Sequence, residues 1–242
     1  MTASPTDPAD PADRADPATR ASAVELTGSG LPFPVVLFDL DGTLVDSIAL
    51  ILDSYRQVFA HFGVEDVDPG SMRPWIGLPL EDSFRALDPA RAEAMTAHYR
   101  EVMLAAHDAM IRPFPGAAEL VRALDAAGAR QGVVTSKRRE LARRGMVATG
   151  LPAIDLVIGQ EDSDRHKPDP APLRIALEHL GTAPAEAVYV GDAPTDLQAA
   201  HAAGMAAIGV TWGAADRATL KAERPRAVVE DMSALRALLL PP

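Results

Sequence analysis

Read along its 242 residues, the chain alternates two patterns: short unbroken apolar runs, and longer stretches in which apolar residues return every three or four positions. The run VVLF at 35–38 does not alternate with polar residues. That is the mark of a strand buried on both faces, as in a parallel sheet, though periodicity alone does not separate it from a buried helix. Downstream, strands are expected at 131–135, 155–159, 187–191 and 206–210, separated by helices at 116–129, 138–150, 171–181 and 195–204. Such βαβα order predicts an α/β fold: a doubly wound parallel sheet with helices on both faces. Gly128, Gly150, Gly181 and Gly204 stand where left-handed caps would end those helices.

The rhythm breaks between Ser47 and Arg112, a gap far too long for an ordinary crossover. It reads as helical at 47–63, 79–88 and 90–110. An inserted helical cap is therefore expected over 47–112, with the core formed by 32–46 and 113–242. Loops at the carboxyl edge of an open α/β sheet gather over a ligand, so an insertion at this edge is placed to act as a lid.

The first residues change the picture differently. Residues 1–31 are poor in large apolar side chains and repeat Asp-Pro-Ala, a composition that cannot offset the entropy of ordering. They read as a disordered, solubilising tail. No apolar stretch follows a basic start, and none elsewhere is long enough to span a bilayer. A cytoplasmic protein with no membrane partner is the expectation. The formal charge of −11 disfavours nucleic acid as a partner but leaves room for a local positive pocket and an anionic substrate. The absence of cysteine removes disulfides, thiolate metal sites and thiol nucleophiles.

The strand at 35–38 ends in Asp39-Leu40-Asp41-Gly42-Thr43. Carboxylates at i and i+2 project to one side of an extended chain and repel unless a cation or a proton comes between them. Three further polar stretches fall at expected strand ends: VVTSK (133–137), HKPDP (166–170) and VGDAPTD (190–196). A doubly wound sheet binds its ligand at that edge. Each group also has an ordinary use. Aspartates cap helices and make turns, Thr135 and Ser136 serve equally well as helix caps, and a lone lysine is usually solvated.

Taken in order, the four stretches resemble the haloacid dehalogenase superfamily of phosphohydrolases, and the resemblance covers about residues 33–240. Its helical cap lies between the first and second motifs, as in the phosphoglycolate phosphatase-like subgroup. The resemblance implies Asp39 as the nucleophile that forms an aspartyl-phosphate and Asp41 as acid and base. Thr135 and Lys167 complete the catalytic set. It implies Gly42, Thr43, Thr135, Ser136 and Lys167 around the substrate phosphate, and Mg²⁺ held by Asp39, the Asp41 carbonyl and Asp192, with Asp196 beside it. The implied activity is hydrolysis of a small phosphorylated metabolite such as phosphoglycolate, by a monomer or homodimer. Inorganic pyrophosphatase, a β-phosphoglucomutase-like phosphotransferase and a non-catalytic phosphate-binding regulator remain alternatives. In the insertion, Arg73 or Arg100 could meet a second anionic group of the substrate. Trp75 and Trp212 are expected to pack.

Overall fold

A computed structural model describes residues 30–65 and 67–241. Most of the expected tail lies outside them, but Leu31, at its edge, is buried in the core. In chain order the elements are β1 (Val35–Phe38), β2 (Val45–Asp46), α1 (Ile48–Phe62), α2 (Leu80–Leu87), α3 (Ala92–Met110) and β3 (Arg112–Pro113). They continue with α4 (Ala117–Ala126), β4 (Arg130–Val134), α5 (Arg139–Ala148), β5 (Leu156–Ile158), α6 (Ala171–Leu180) and β6 (Ala187–Gly191). The chain ends with α7 (Pro194–Ala203), β7 (Ala206–Val210), α8 (Arg217–Ala222), β8 (Ala227–Val229) and α9 (Met232–Leu239).

Six strands form one parallel sheet in the order β5-β4-β1-β6-β7-β8. Every side chain of β1 is fully buried. Val36 and Phe38 enter one apolar cluster with α4, α5 and α9, while Val35 and Leu37 enter the other with α6, α7 and α8. The period of two in a strand thus feeds both layers, which explains the uninterrupted apolar run. The glycines after α4, α5, α6 and α7 all have positive φ, between 55° and 82°, as left-handed caps require. β1 lies between β4 on one side and β6 on the other, so the strand order reverses there. The crevice of a doubly wound sheet opens at such a reversal, beyond the strand's carboxyl end.

The long gap is helical as expected, with a 3-10 turn at Pro69–Trp75 between α1 and α2. It builds its own apolar cluster around Tyr55, Phe84, Met95 and Tyr99, with the Tyr55 ring set edge-on to Phe84 and Trp75. Its two ends leave the core side by side, because β2 and β3 pair antiparallel, Val45 with Pro113 and Asp46 with Arg112. Among the described residues no helix is long and apolar enough to cross a membrane.

Candidate active site

Asp39 follows directly on β1, and its N–H donates to the Val190 carbonyl of β6 at 2.9 Å. This bond fixes the end of one strand against its neighbour. The chain then turns around the Leu40 carbonyl, which accepts from the N–H groups of Thr43, Leu44 and Val45. Gly42 makes the turn possible with φ at +82°, and a Cβ there would fall on the Asp192 carboxylate. Both the left-handed backbone and the close approach require glycine.

β6 ends at Gly191, and Asp192 follows with 1% exposure. Thr43 Oγ1 donates to its Oδ1 at 3.2 Å and the Ala214 N–H to its Oδ2 at 2.6 Å. Asp196 sits in the first turn of α7, where its Oδ2 accepts the Ala193 N–H at 3.0 Å. Lys167, 2% exposed, reaches in from the loop before α6. Its Nζ donates to Asp39 Oδ1 at 2.9 Å, to Asp196 Oδ1 at 2.6 Å and to the Tyr189 hydroxyl at 3.0 Å. The Tyr189 hydroxyl in turn donates to the Val134 carbonyl at 2.6 Å.

Burial governs the charges. It pushes the Asp39 carboxyl up to about 7 against the pull of Lys167, with Asp196 and Asp41 adding to the rise. Burial, then Asp196 and Asp39, hold Asp192 well above the usual carboxylate range. For Lys167 burial works the other way, but Asp196 and Asp39 outweigh it and keep the ammonium charged. Asp39, Asp192 and Asp196 bring ligand oxygens within 4.8 Å of one another. Three carboxylates against the one ammonium of Lys167 leave a formal −2, the charge one divalent cation would offset, and the donors are the hard oxygens such a cation takes. The residues therefore fit a metal ion. Both oxygens of Asp192 and of Asp196 already accept hydrogen bonds, and Asp196 alone of these two is also paired directly with Lys167.

The second aspartate of the pair has a separate environment. Lys137 Nζ and Ser47 Oγ donate to Asp41 Oδ1 at 2.7 Å and 2.6 Å, and Oδ2 has no protein partner among the described residues. Thr135 is buried, its Oγ1 accepting the Lys137 N–H at 3.2 Å. Ser136 Oγ donates to the Gly77 carbonyl of the insertion at 2.9 Å. A cavity of about 140 Å³ opens over this edge, lined by Asp39, Asp41, Asp192, Thr135, Ser136 and Lys137 below and by insertion residues above.

Every residue singled out in the four sequence stretches thus meets at one sheet edge. The two insertion arginines part company. Arg100 lines the cavity and pairs with Glu81, whereas Arg73 is away from it, donating to the Gly213 carbonyl at 3.1 Å. Trp75 and Trp212 both pack, and the Trp212 indole N–H also donates to the Thr43 carbonyl at 3.0 Å. Sequence reasoning missed Lys137, Ser47 and Tyr189. The signal for Tyr189 was present: one hydroxyl in an otherwise apolar buried strand needs a polar partner. For Lys137 the only hint was its place two residues after Thr135.

A parallel α/β sheet with buried carboxylates at its switch point places the chain among α/β proteins built to bind a ligand at the carboxyl edge of the sheet. The family of haloacid dehalogenase-like hydrolases matches residues 36–210, and the chain belongs to it. Pyrophosphatase PpaX of Bacillus velezensis is 36% identical over 201 residues, covering 83% of this chain and 93% of that one. A haloacid dehalogenase-like family hydrolase of Streptococcus pneumoniae superposes with a TM-score of 0.76 at 26% identity, covering 84% and 96% of the two chains. A Haemophilus somnus structure named as a predicted phosphoglycolate phosphatase gives 0.73 at 25%, with the same coverage.

Proposed function

We propose that the protein is a magnesium-dependent phosphohydrolase of small phosphorylated metabolites, working through a phosphorylated Asp39. The observation that carries this reading is the division of labour within the Asp-Leu-Asp pair. Asp39 belongs to the buried carboxylate cluster with Lys167, while Asp41 is held apart by Lys137 and Ser47 with one oxygen unclaimed.

In the first step an Asp39 oxygen bonds to phosphorus as the bond from phosphorus to the leaving oxygen breaks, and that oxygen takes a proton from Asp41. In the second, water gives a proton to Asp41 and attacks the same phosphorus, breaking the aspartyl bond and releasing inorganic phosphate. Lys167 lies against Asp39 and neutralises charge on the transferring group, where buried donors are worth most. Thr135 and Ser136 border the cavity beside it and are assigned to the phosphoryl oxygens. Magnesium would be held by Asp39, Asp192 and the Asp41 carbonyl, with Asp196 supporting from behind, and would supply a positive charge for the phosphate oxygens.

The insertion is assigned the part of a cap. Ser136 ties its Gly77 to the phosphate edge, and Arg73 ties it to Gly213. Two substrate readings follow from different observations. The resemblance of the structure named as a phosphoglycolate phosphatase supports a phosphoglycolate-like monoester, and the identity to PpaX supports pyrophosphate.

The test is phosphate release from a panel of phosphorylated metabolites, phosphoglycolate and pyrophosphate included, with magnesium or with a chelator. Turnover is expected only with magnesium, and Asp39→Asn is expected to abolish it. An Asp39→Asn enzyme that keeps its full rate rejects the covalent route.

A further inference from the structure

Five of the eight residues from Lys137 to Arg144 are basic, and the fold occupies four of them. Lys137 binds Asp41, and Arg139 pairs with Asp162 at 2.6 Å. Arg143 donates to the Asp155 carbonyl at 2.8 Å, and Arg144 holds Asp108 through two of its nitrogens. Arg138 alone has no protein partner among the described residues, and it stands at the cavity over Asp39. Its backbone is extended, with φ at −61° and ψ at 137°, as the last residue before α5. It follows Thr135 and Ser136 by three and two positions, so it belongs to the same strand end that borders the phosphoryl site. Exposed and unbonded, its guanidinium has no contact in the fold to maintain.

The other cations of the cavity already answer a carboxylate. Lys137 neutralises Asp41, and Arg100 on the facing insertion forms a pair with Glu81, whose second oxygen accepts from Gln160 at 3.3 Å. Both substrate readings carry a second anionic group beside the transferring phosphoryl: a carboxylate in phosphoglycolate, a phosphate in pyrophosphate. Either group, brought next to Asp39, Asp41 and Asp192, loses hydration and meets like charge unless a cation receives it. A planar guanidinium suits both, because carboxylate and phosphate each offer it two oxygens at once. The cavity is about 140 Å³, so the second group has to lie close to the transferring phosphorus.

We propose that Arg138 binds the second anionic group of the substrate, and so selects small metabolites that carry a carboxylate or a second phosphate beside the phosphoryl that is transferred. The proposal rests on the phosphohydrolase reading above and narrows it. Arg138 is a specificity-determining residue here: it meets the part of the substrate that departs, not the phosphorus under attack.

The test compares kcat/KM, with magnesium, for phosphoglycolate, pyrophosphate and 2-hydroxyethyl phosphate, an ester as long as phosphoglycolate but without the second charge. Four proteins are used: wild type, Arg138→Gln, Arg138→Lys and Arg143→Gln. The rates for each protein come from one preparation, so any loss of folded protein cancels in their ratios. The wild type is expected to favour the better of the two doubly anionic compounds over 2-hydroxyethyl phosphate by about tenfold or more, the scale of one charged hydrogen-bonded contact. Arg138→Gln should remove about tenfold of that preference, chiefly through KM, because the contact is the same before and during the reaction. Arg138→Lys should keep part of it, retaining the charge but not the fork. Arg143→Gln makes the same change in net charge on the same helix and should leave the preference within about twofold of wild type. A loss with phosphoglycolate alone assigns Arg138 to a carboxylate, and a loss with pyrophosphate alone assigns it to a phosphate; both support the proposal. An Arg138→Gln preference equal to wild type overturns it, even if all three rates fall together, and so does a wild type that turns over 2-hydroxyethyl phosphate as well as the other two. Phosphate release from other metabolites but from none of these three also overturns it. In each of these cases the phosphohydrolase reading survives, whereas no release across the whole panel removes that reading and the proposal together.

Discussion

Replacing Lys167 by Met keeps the length and apolar stem of the side chain but removes its charge and three donors. Nζ lies 2.6 Å from Asp196 and 2.9 Å from Asp39, and the side chains of Lys167, Asp196 and Asp39 are 2%, 1% and 6% exposed, so water contributes little screening. Removing one partner of a buried ion pair costs about 3–5 kcal/mol, because the other charge stays behind uncompensated. The lost contact to Tyr189 adds about 1 kcal/mol. Against a total stability of about 5–15 kcal/mol for a typical domain, that is a large share. At about 2–4 °C per kcal/mol for a chain of this size, melting in the presence of a chelator should fall by about 8–24 °C.

The loss has a sign in pH. In the variant, buried carboxylates hold protons that the unfolded chain releases above about pH 4, so its stability must decline further as pH rises through neutrality. The Asp39 and Asp192 carboxyls, both already raised by burial, contribute to this decline. Thermal melts of wild type, Lys167→Met, Asp196→Asn and the double variant provide the assay. The double variant should be more stable than the sum of the single losses predicts, by about 1–3 kcal/mol. Phosphate release should drop about 10²–10³-fold in Lys167→Met. A Lys167→Met protein that melts within about 2 °C of wild type, a shift worth no more than about 1 kcal/mol in a chain of this length, refutes the reasoning, and so does strict additivity in the cycle.

Gly42→Ala places a methyl group on the Asp192 carboxylate at a φ of +82°. It should cost about 1–3 kcal/mol of stability, and the rise in melting temperature expected of the wild type with magnesium should be absent from the variant. Phe84→Ala empties the centre of the insertion's cluster, where the ring is fully buried against Tyr55 and Tyr99, and should cost about 3–5 kcal/mol in denaturant unfolding. His107, fully buried, is held below its ordinary value by burial and by Lys137, against the pull of Asp108. The unfolded chain therefore binds the extra proton first, and stability should fall as pH drops below about 6.5. Melts from about pH 7 to about pH 5, the range that brackets histidine titration, should show a shallower decline in His107→Gln; an identical pH slope would show that His107 does not titrate on unfolding.

What could be read from the sequence follows the range of the signal. β1, β6 and β7 announce themselves because a strand buried on both faces must be apolar without interruption, and the helices between the strands end on glycines whose backbone needs are local. β2 and β3 are two residues each, too short for any period, and exist because their ends meet across the whole insertion. The clustered aspartates and Lys167 were legible as ordered polar punctuation at strand ends. The bond between Lys137 and Asp41 was not, since it joins residues 96 positions apart whose side chains only the folded sheet brings together. Arg73 and Arg100 looked equivalent as candidates. Only packing separates them, by giving one a backbone carbonyl and the other a place at the cavity with Glu81.

The paired strands β2 and β3 have a consequence for how such a protein can diversify. Because the inserted helices leave and rejoin the sheet at adjacent backbones, the whole segment behaves as a cassette. A swap between relatives has to preserve that two-rung junction, the contacts of Leu50 and Ile111 with the central layer, and the bonds that join Gly77, Arg73 and Glu81 to the core. New side chains can then be brought over the cavity without moving any of the carboxylates below.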